Sequence, residues 1–164
     1  MRYERHFVLP IEKVWAALTE PERLADWFAQ AKMEPRLDGA VEFSWETQDY
    51  VERGVIVAWD PPSTLAWAIP GADGLLAGVV RWDLKSENDP VKAGTRLILT
   101  QTLLPPKHLL GVATGWHTHL HDLPEAAARE TPAPWTADRE KARAARKDAQ
   151  HMPRYRTKLA RYLS

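Results

Sequence analysis

Two short helical segments follow the first strand-like segment of the chain, and this order restricts the fold more than any other feature. Residues 2–9 have a strand pattern that ends at Pro10, which cannot donate a ladder hydrogen bond. Residues 11–18 carry apolar side chains at helical spacing. Thr19 is then expected to cap a second helix over 20–28. Two helices inserted after a first strand are typical of a sheet that curls around a longer helix.

Six further strands are predicted, and short turns such as Asp38-Gly39 connect them. The short connections indicate an antiparallel meander of about seven strands, counting the first. Two alternation patterns are clear: Val41, Phe43 and Trp45 share one face of their strand, and Val51, Arg53, Val55, Val57 and Trp59 share one face of the next. The predicted strands cover residues 31–37, 40–47, 50–59, 64–69, 77–86 and 95–103.

A long helix is predicted from about residue 112, and Pro124 is expected to kink or break it near Leu123. Its apolar stripe consists of Val112, Trp116, Leu120, Leu123 and Ala127. An antiparallel sheet needs one face covered, and this helix is the element long enough to cover it. The pattern therefore predicts an α+β helix-grip fold, with a cavity between the curved sheet and the helix.

The chain of 164 residues is expected to form one domain, with a core at about 3–130 and a basic helical extension at about 132–164. Residues 138–161 hold nine Lys and Arg against three acids, although the whole chain has no net charge. We interpret the helix at 136–150 as a solvated face packed against an acidic sheet edge. No aromatic or glycine pattern typical of nucleic-acid modules accompanies the charge, so we expect no nucleic-acid partner.

Several classes of protein are disfavoured by composition. The chain has no cysteine, which excludes disulfides and cysteine-based zinc sites. It has no apolar run of the about 18 residues that a membrane span needs, and no apolar segment typical of a secretory signal at its start. We therefore expect a cytoplasmic protein without a membrane span. No motif for a cofactor is present, and we expect none.

The chain contains five motifs in this order: Pro10 to Glu22, Trp27-Phe28, Asp60-Pro61-Pro62, Gly94-Thr95-Arg96-Leu97 and Gly115-Trp116-His117. Together they resemble the SRPBCC or START-like superfamily, and most closely the bacterial relatives of the C-terminal domain of the heat-shock-protein-90 ATPase activator. The resemblance covers roughly residues 3–125 and implies a helix-grip fold with an internal cavity. It implies no particular reaction, because the superfamily includes lipid carriers, hormone receptors and cyclases.

The eight tryptophans suggest either a large core or an aromatic-lined cavity, and both interpretations are open because pockets and cores share this composition. His117 either contacts a ligand, for instance as a general base, or pins the helix to a strand carbonyl or to Asp26. Glu46, Gln48, Thr100 and Gln101 are candidate orienting groups. The predicted ligand-binding residues are Trp27, Phe28, Phe43, Trp45, Trp67, Trp82, Trp116, His117 and Leu120.

Other charged and imidazole groups are expected to be structural. Arg53 and Arg81 either bind an anion inside the sheet or, as we favour, form ion pairs with Glu42, Glu52 or Asp83 on the solvent face. His117 and His121 share a helix face, but the sequence offers no third ligand and we expect no metal site. We expect His119 to point nearly opposite to them.

The first functional hypothesis is therefore a binding protein for a small hydrophobic or aromatic molecule. The first alternative is a cyclase- or hydrolase-like enzyme that uses the same cavity, although no catalytic residue is identified by motif. The second is an interaction protein of the stress response or of a chaperone system. A homodimer is compatible with each of these hypotheses.

Overall fold

The computed structural model describes residues 1–45, 50–70, 78–89, 91, 93–102 and 108–146. Seven strands and four helices lie within these residues. The strands are β1 (Arg2–Phe7), β2 (Gln30–Met33), β3 (Ala40–Trp45), β4 (Tyr50–Asp60), β5 (Thr64–Ile69), β6 (Gly78–Glu87) and β7 (Gly94–Thr102). The helices are α1 (Ile11–Thr19), α2 (Pro21–Trp27), α3 (Leu109–Ala128) and α4 (Ala137–Arg146).

The seven strands form one antiparallel sheet in the order β1-β7-β6-β5-β4-β3-β2. Strands β2 to β7 are neighbours in sequence order, which is the predicted meander, and β1 closes on β7. The hydroxyl of Tyr3 on β1 donates to the Ala113 carbonyl of α3 at 2.8 Å, so the long helix lies against the sheet. The α+β helix-grip fold is confirmed.

The core lies between α3 and the concave face of the sheet, and strand alternation explains which side chains reach it. On β3, Val41, Phe43 and Trp45 are buried, as predicted. On β7, Leu99 and Gln101 point the same way. The curved sheet thus presents one continuous apolar face to α3, and this face holds the large aromatic side chains.

The alternation predicted for 50–59 is wrong beyond Ile56, because β4 contains a bulge. Ile56 pairs with Trp67 and Trp59 pairs with Leu65, while the register shifts between Ile56 and Ala58. An extra residue in one strand reverses the phase of the side chains that follow it. Trp59 therefore packs against the core, whereas Val57 is exposed.

Two predictions about helix ends are also wrong. Thr19 does not cap α2: it is the last residue of α1, and its hydroxyl donates to the Trp15 carbonyl at 2.9 Å. Glu20 occupies the N-cap position, and Pro21 begins α2. Pro124 does not break α3, which continues to Ala128. Buried side chains on both sides of the proline hold this part of the helix against the core.

The C-terminal extension folds back beside α2 and α3, which corrects the predicted packing against a sheet edge. Helix α4 begins after Thr136, whose hydroxyl accepts a hydrogen bond from the Arg139 N–H at 3.2 Å. Its arginines contact Asp26 of α2 and Asp122 of α3. The rest of the predicted basic segment, from residue 147 onward, lies outside the described residues. No described helix is long and apolar enough to cross a membrane.

Candidate functional site

The seven aromatic residues predicted to bind a ligand lie together on the concave face, and we call them the aromatic cluster. Neighbouring rings in this cluster have centroids 5.0–6.1 Å apart, which is direct contact. All seven side chains are buried, and Leu120 is buried with them. The members are Trp27, Phe28, Phe43, Trp45, Trp67, Trp82 and Trp116.

Phe28 occupies the middle of the aromatic cluster. It stacks on Trp116 of α3 at 5.3 Å with an interplanar angle of 11°, and it meets Phe43 and Trp45 of β3 edge-on. Its position follows from local structure, because α2 ends at Trp27 and the Phe28 N–H still donates to the Leu24 carbonyl. The end of α2 thus places one ring between the sheet and the grip helix.

The four fully buried indoles of the cluster differ in how their N–H groups are used. Trp27 donates to the Ala17 carbonyl at 2.8 Å, and Trp116 donates to the Gln101 side chain at 2.6 Å. The N–H groups of Trp67 and Trp82 have no hydrogen-bond acceptor among the described residues. A buried donor left without an acceptor costs roughly 1–3 kcal/mol, so the centre of the cluster lacks two acceptors.

Two polar side chains share the concave face with the aromatic cluster. Gln101 of β7 is buried and bonded to Trp116, as described above. Glu52 of β4 is 4% exposed and lies opposite Phe43 in the β3–β4 pairing. The sequence predicts Glu52 only as an arginine partner on the solvent face, and this placement is wrong because Glu52 lies on the same face of β4 as the buried Ile56. The other predicted orienting groups differ: Thr100 alternates with the buried side chains of β7, and Glu46 and Gln48 lie outside the described residues.

The histidines of α3 are arranged differently from the prediction. His119, and not the predicted His117, packs edge-on against Trp27, Phe28 and Trp116. Its Nδ1 lies 3.1 Å from the Trp27 carbonyl, which can only accept, so Nδ1 carries the proton. The signal in the sequence was its position three residues after Trp116, on the same side of the helix.

His117 lies next to strand β1. Its Nδ1 lies 3.5 Å from the Arg5 guanidinium on β1, and the predicted partner Asp26 is bonded to arginines instead. His121 lies beside Asp122 with most of its side chain exposed. In the described part of the chain, no group of three His, Asp or Glu side chains is placed to hold a metal ion.

The strand arginines lie on the outer face of the sheet, as favoured from the sequence. Arg53 donates to Glu42 at 2.7 Å, and Arg81 donates to Asp83 from two nitrogens. Arg96 pairs with Glu4 across strands β7 and β1 and, together with Arg2, lowers the pKa of Glu4 to about 2. These pairs are exposed and contribute little to stability.

The deepest ion cluster was not predicted, and it lies at the end of α2. The Asp26 carboxylate, whose side chain is 1% exposed, accepts hydrogen bonds from Arg129, from Arg139 and from the Ala133 N–H. Burial alone would raise the pKa of Asp26, but the bonds from Arg129 and Arg139 lower it below its usual value. Arg143 donates to the main-chain carbonyls of Asp26 and Phe28.

These contacts fasten the C-terminal extension to the residues that carry two members of the aromatic cluster. Asp26, Trp27 and Phe28 are consecutive, and each of their carbonyls accepts a hydrogen bond from a side chain of α3 or α4. We call the contacts of Asp26 and Phe28 with Arg129, Arg139 and Arg143 the C-terminal latch. The latch holds the junction between α2 and β2 in place and, with it, the ring of Phe28.

Solved structures with the same fold are similar to this chain at modest sequence identity. Protein MLL2253 from Mesorhizobium loti is 23% identical with a TM-score of 0.67, and the match covers 79% of this chain and 97% of that one. The protein encoded by gene BPP1335 from Bordetella parapertussis is 26% identical with a TM-score of 0.62, covering 92% and 85%. CalU16 from Micromonospora echinospora is 21% identical with a TM-score of 0.55, covering 90% and 83%.

The family assignment rests on a match to most of the chain. No curated protein shows a significant match. The family model described as "Activator of Hsp90 ATPase homolog 1-like protein" matches residues 8–128, which include α1, α2, the sheet from β2 onward and α3. The latch residues of α4 lie beyond the matched region. The order of elements, the fold and this match agree, and the chain belongs to the family of activator of Hsp90 ATPase homologue 1-like proteins.

Proposed function

We propose that this protein binds a small, largely apolar or aromatic molecule between the sheet and α3. The observation that carries the proposal is the pair of buried indole N–H groups on Trp67 and Trp82, which have no acceptor among the described residues. A ligand with a carbonyl, hydroxyl or similar acceptor would supply what the centre of the aromatic cluster lacks. The apolar rings around it favour a ligand that is otherwise hydrophobic.

Binding requires movement, because the rings of the aromatic cluster touch one another. A ligand that reaches Trp67 or Trp82 must displace a neighbouring ring. Trp116 contacts Trp82 and stacks on Phe28, so rotation of these two rings is the candidate movement, while the latch holds the main chain of Phe28 in place. Burial of apolar ligand surface contributes about 25 cal/mol per Å² and would offset the loss of ring contacts.

A test uses prodan, a neutral naphthyl ketone whose carbonyl is an acceptor and whose emission reports an apolar site. We expect saturable binding to the wild-type protein. Trp67→Phe and Trp82→Phe each remove an unpaired donor and should weaken binding by about two- to tenfold. Trp27→Phe is the matched control, because its N–H is already bonded to Ala17. Equal effects of all three substitutions, or no saturable binding, would contradict the proposal.

An enzyme is the second candidate function, and Glu52 is the observation that favours it. Glu52 is 4% exposed and lies opposite Phe43. Its carboxylate is therefore a titratable group on the same concave face as the proposed ligand site. Any small molecule that copurifies with the wild type should be compared by mass with the one from Glu52→Gln. An enzyme that uses Glu52 would carry product in the wild type and unconverted substrate in the variant. The same compound in both would leave binding as the function.

A further inference from the structure

A cavity that is open to solvent lies outside the aromatic cluster, between the ends of α2 and α3 and the inner face of α4. Its volume is about 220 Å³, which is smaller than sites for drug-sized ligands. Its walls contain four arginines and three carboxylates, together with Ala142. We call this cavity the arginine cleft.

The arginine cleft has an excess of positive charge because four guanidinium groups face three carboxylates, two of which are each shared by two guanidinium groups. Asp26 accepts from Arg129 and Arg139, as described above. Asp122 accepts from Arg146 at 2.7 Å, and its Oδ2 lies 3.5 Å from Arg143. The third carboxylate of the cleft, Glu125, is 76% exposed at the rim and contacts Arg129.

Arg143 is the most deeply placed of the four cations. The residue is 8% exposed, and its terminal nitrogens donate to the carbonyls of Phe28 and Asp26. Its Nε lies 3.5 Å from Asp122 Oδ2 as an ion pair and forms no hydrogen bond among the described residues. Burial lowers the pKa of Arg143, and the nearby Arg139 and Arg146 act in the same direction, while Asp122 and Asp26 partly oppose them. A buried cation with a weakly paired donor and two cationic neighbours is stabilised further when an anion approaches.

We propose that the arginine cleft binds a small doubly charged oxyanion, either inorganic phosphate or the phosphate group of a small metabolite. Guanidinium groups match the geometry of phosphate oxygens, and several donors remain for such an ion. Arg146 is 44% exposed and donates only from Nη2 within the described part of the chain, to Asp122. An anion that enters the cleft from solvent would contact Arg146 first.

The test is calorimetric titration of the protein with inorganic phosphate at constant ionic strength, with chloride as the balancing salt. We expect saturable binding to the wild type. Arg146→Gln should weaken it by about tenfold, since a charge-assisted contact is lost. Glu125→Gln removes a negative charge from the rim and should tighten binding by about two- to fivefold. If Arg146 and Glu125 have only a structural role, Glu125→Gln should not increase the affinity for phosphate.

Glu42→Gln is the matched control, because it removes the same charge far from the cleft and releases Lys32 and Arg53. We expect it to leave phosphate affinity unchanged. Phenyl phosphate distinguishes the sources of the ion: binding as tight as that of phosphate supports a metabolite, whereas binding of inorganic phosphate alone supports the free ion. Absence of saturable binding, or an equal effect of Glu42→Gln and Glu125→Gln, would overturn the proposal.

Discussion

Asp26 and Arg129 are 103 residues apart in the sequence, yet one nitrogen of the Arg129 guanidinium donates to both carboxylate oxygens of Asp26, at 2.6 and 2.8 Å. Arg129 directly follows α3, and Asp26 lies near the end of α2. This pair therefore connects the grip helix to the junction that positions Phe28. Loss of the pair should affect both the stability of the fold and the order of the aromatic cluster.

Asp26→Asn should lower the free energy of unfolding by about 3–5 kcal/mol, because it leaves guanidinium groups without their buried anion. Urea unfolding followed by circular dichroism measures this change. Asp83→Asn is the control, since the Arg81–Asp83 pair lies on the outer face and its loss should cost about 0–1 kcal/mol. Equal losses in the two variants would show that the latch contributes no more than a surface pair.

The stability of the protein should depend on pH through Asp26. Its pKa is lower in the folded protein than the usual value of 3.8, so the folded state binds the proton less readily than the unfolded chain. The stabilisation is therefore fully present above about pH 4 and is lost as the pH falls through the folded-state pKa. The melting temperatures of wild type and Asp26→Asn should converge in this acid range. A constant difference down to pH 2 would contradict the assignment.

Two buried tryptophans should respond differently to the loss of the indole N–H. Trp27→Phe leaves the Ala17 carbonyl without its donor, whereas Trp82→Phe removes a donor that has no described acceptor. Both variants lose ring contacts, so the difference between them isolates the hydrogen bond. We expect Trp27→Phe to be less stable than Trp82→Phe by about 1–3 kcal/mol. The reverse order in urea unfolding would show that the Trp82 N–H is satisfied in solution.

Two glycines provide a test of sheet and helix packing. A Cβ on Gly54 would lie 2.2 Å from the Ala68 carbonyl oxygen and 2.6 Å from Ile69, so Gly54→Ala should destabilise the β4–β5 pair by about 1–3 kcal/mol or more. Nothing lies within 4 Å of a Cβ on Gly115 of α3. Gly115→Ala should therefore stabilise the protein by up to about 1 kcal/mol, as expected in a helix interior. Thermal unfolding should show a lower melting temperature than wild type for Gly54→Ala and a higher one for Gly115→Ala.

The fold could be predicted from the sequence where the periodicity of a segment and the residues of its turns indicate the same structure. The alternation of Val41, Phe43 and Trp45 predicted the inner face of β3, and the apolar stripe of α3 predicted the grip helix. The alternation of inward and outward side chains fails as a guide where one extra residue shifts it, as happens at the β4 bulge around Val57. Periodicity describes one segment at a time and contains no information about an extra residue in a strand.

Only part of the candidate site could be predicted from the sequence, because the positions of its polar residues depend on contacts between distant segments. The aromatic residues were predicted as a set from their positions in strands and helices. Glu52 belongs to a strand whose inner face was not identified. The latch depends on Arg129 and Arg139 reaching Asp26 across more than a hundred residues. No local pattern predicts such a contact, although the excess of arginine after residue 138 indicated a charged surface.

The central claim is that a small molecule occupies the interior between the sheet and α3, and native mass spectrometry of the purified protein tests it most directly. The account predicts a species heavier than the chain by the mass of one small molecule, released on denaturation and found to be apolar with a hydrogen-bond acceptor. The same species should be depleted in Trp67→Phe. A protein that carries only its own mass, and that also fails to bind prodan saturably, would contradict the account.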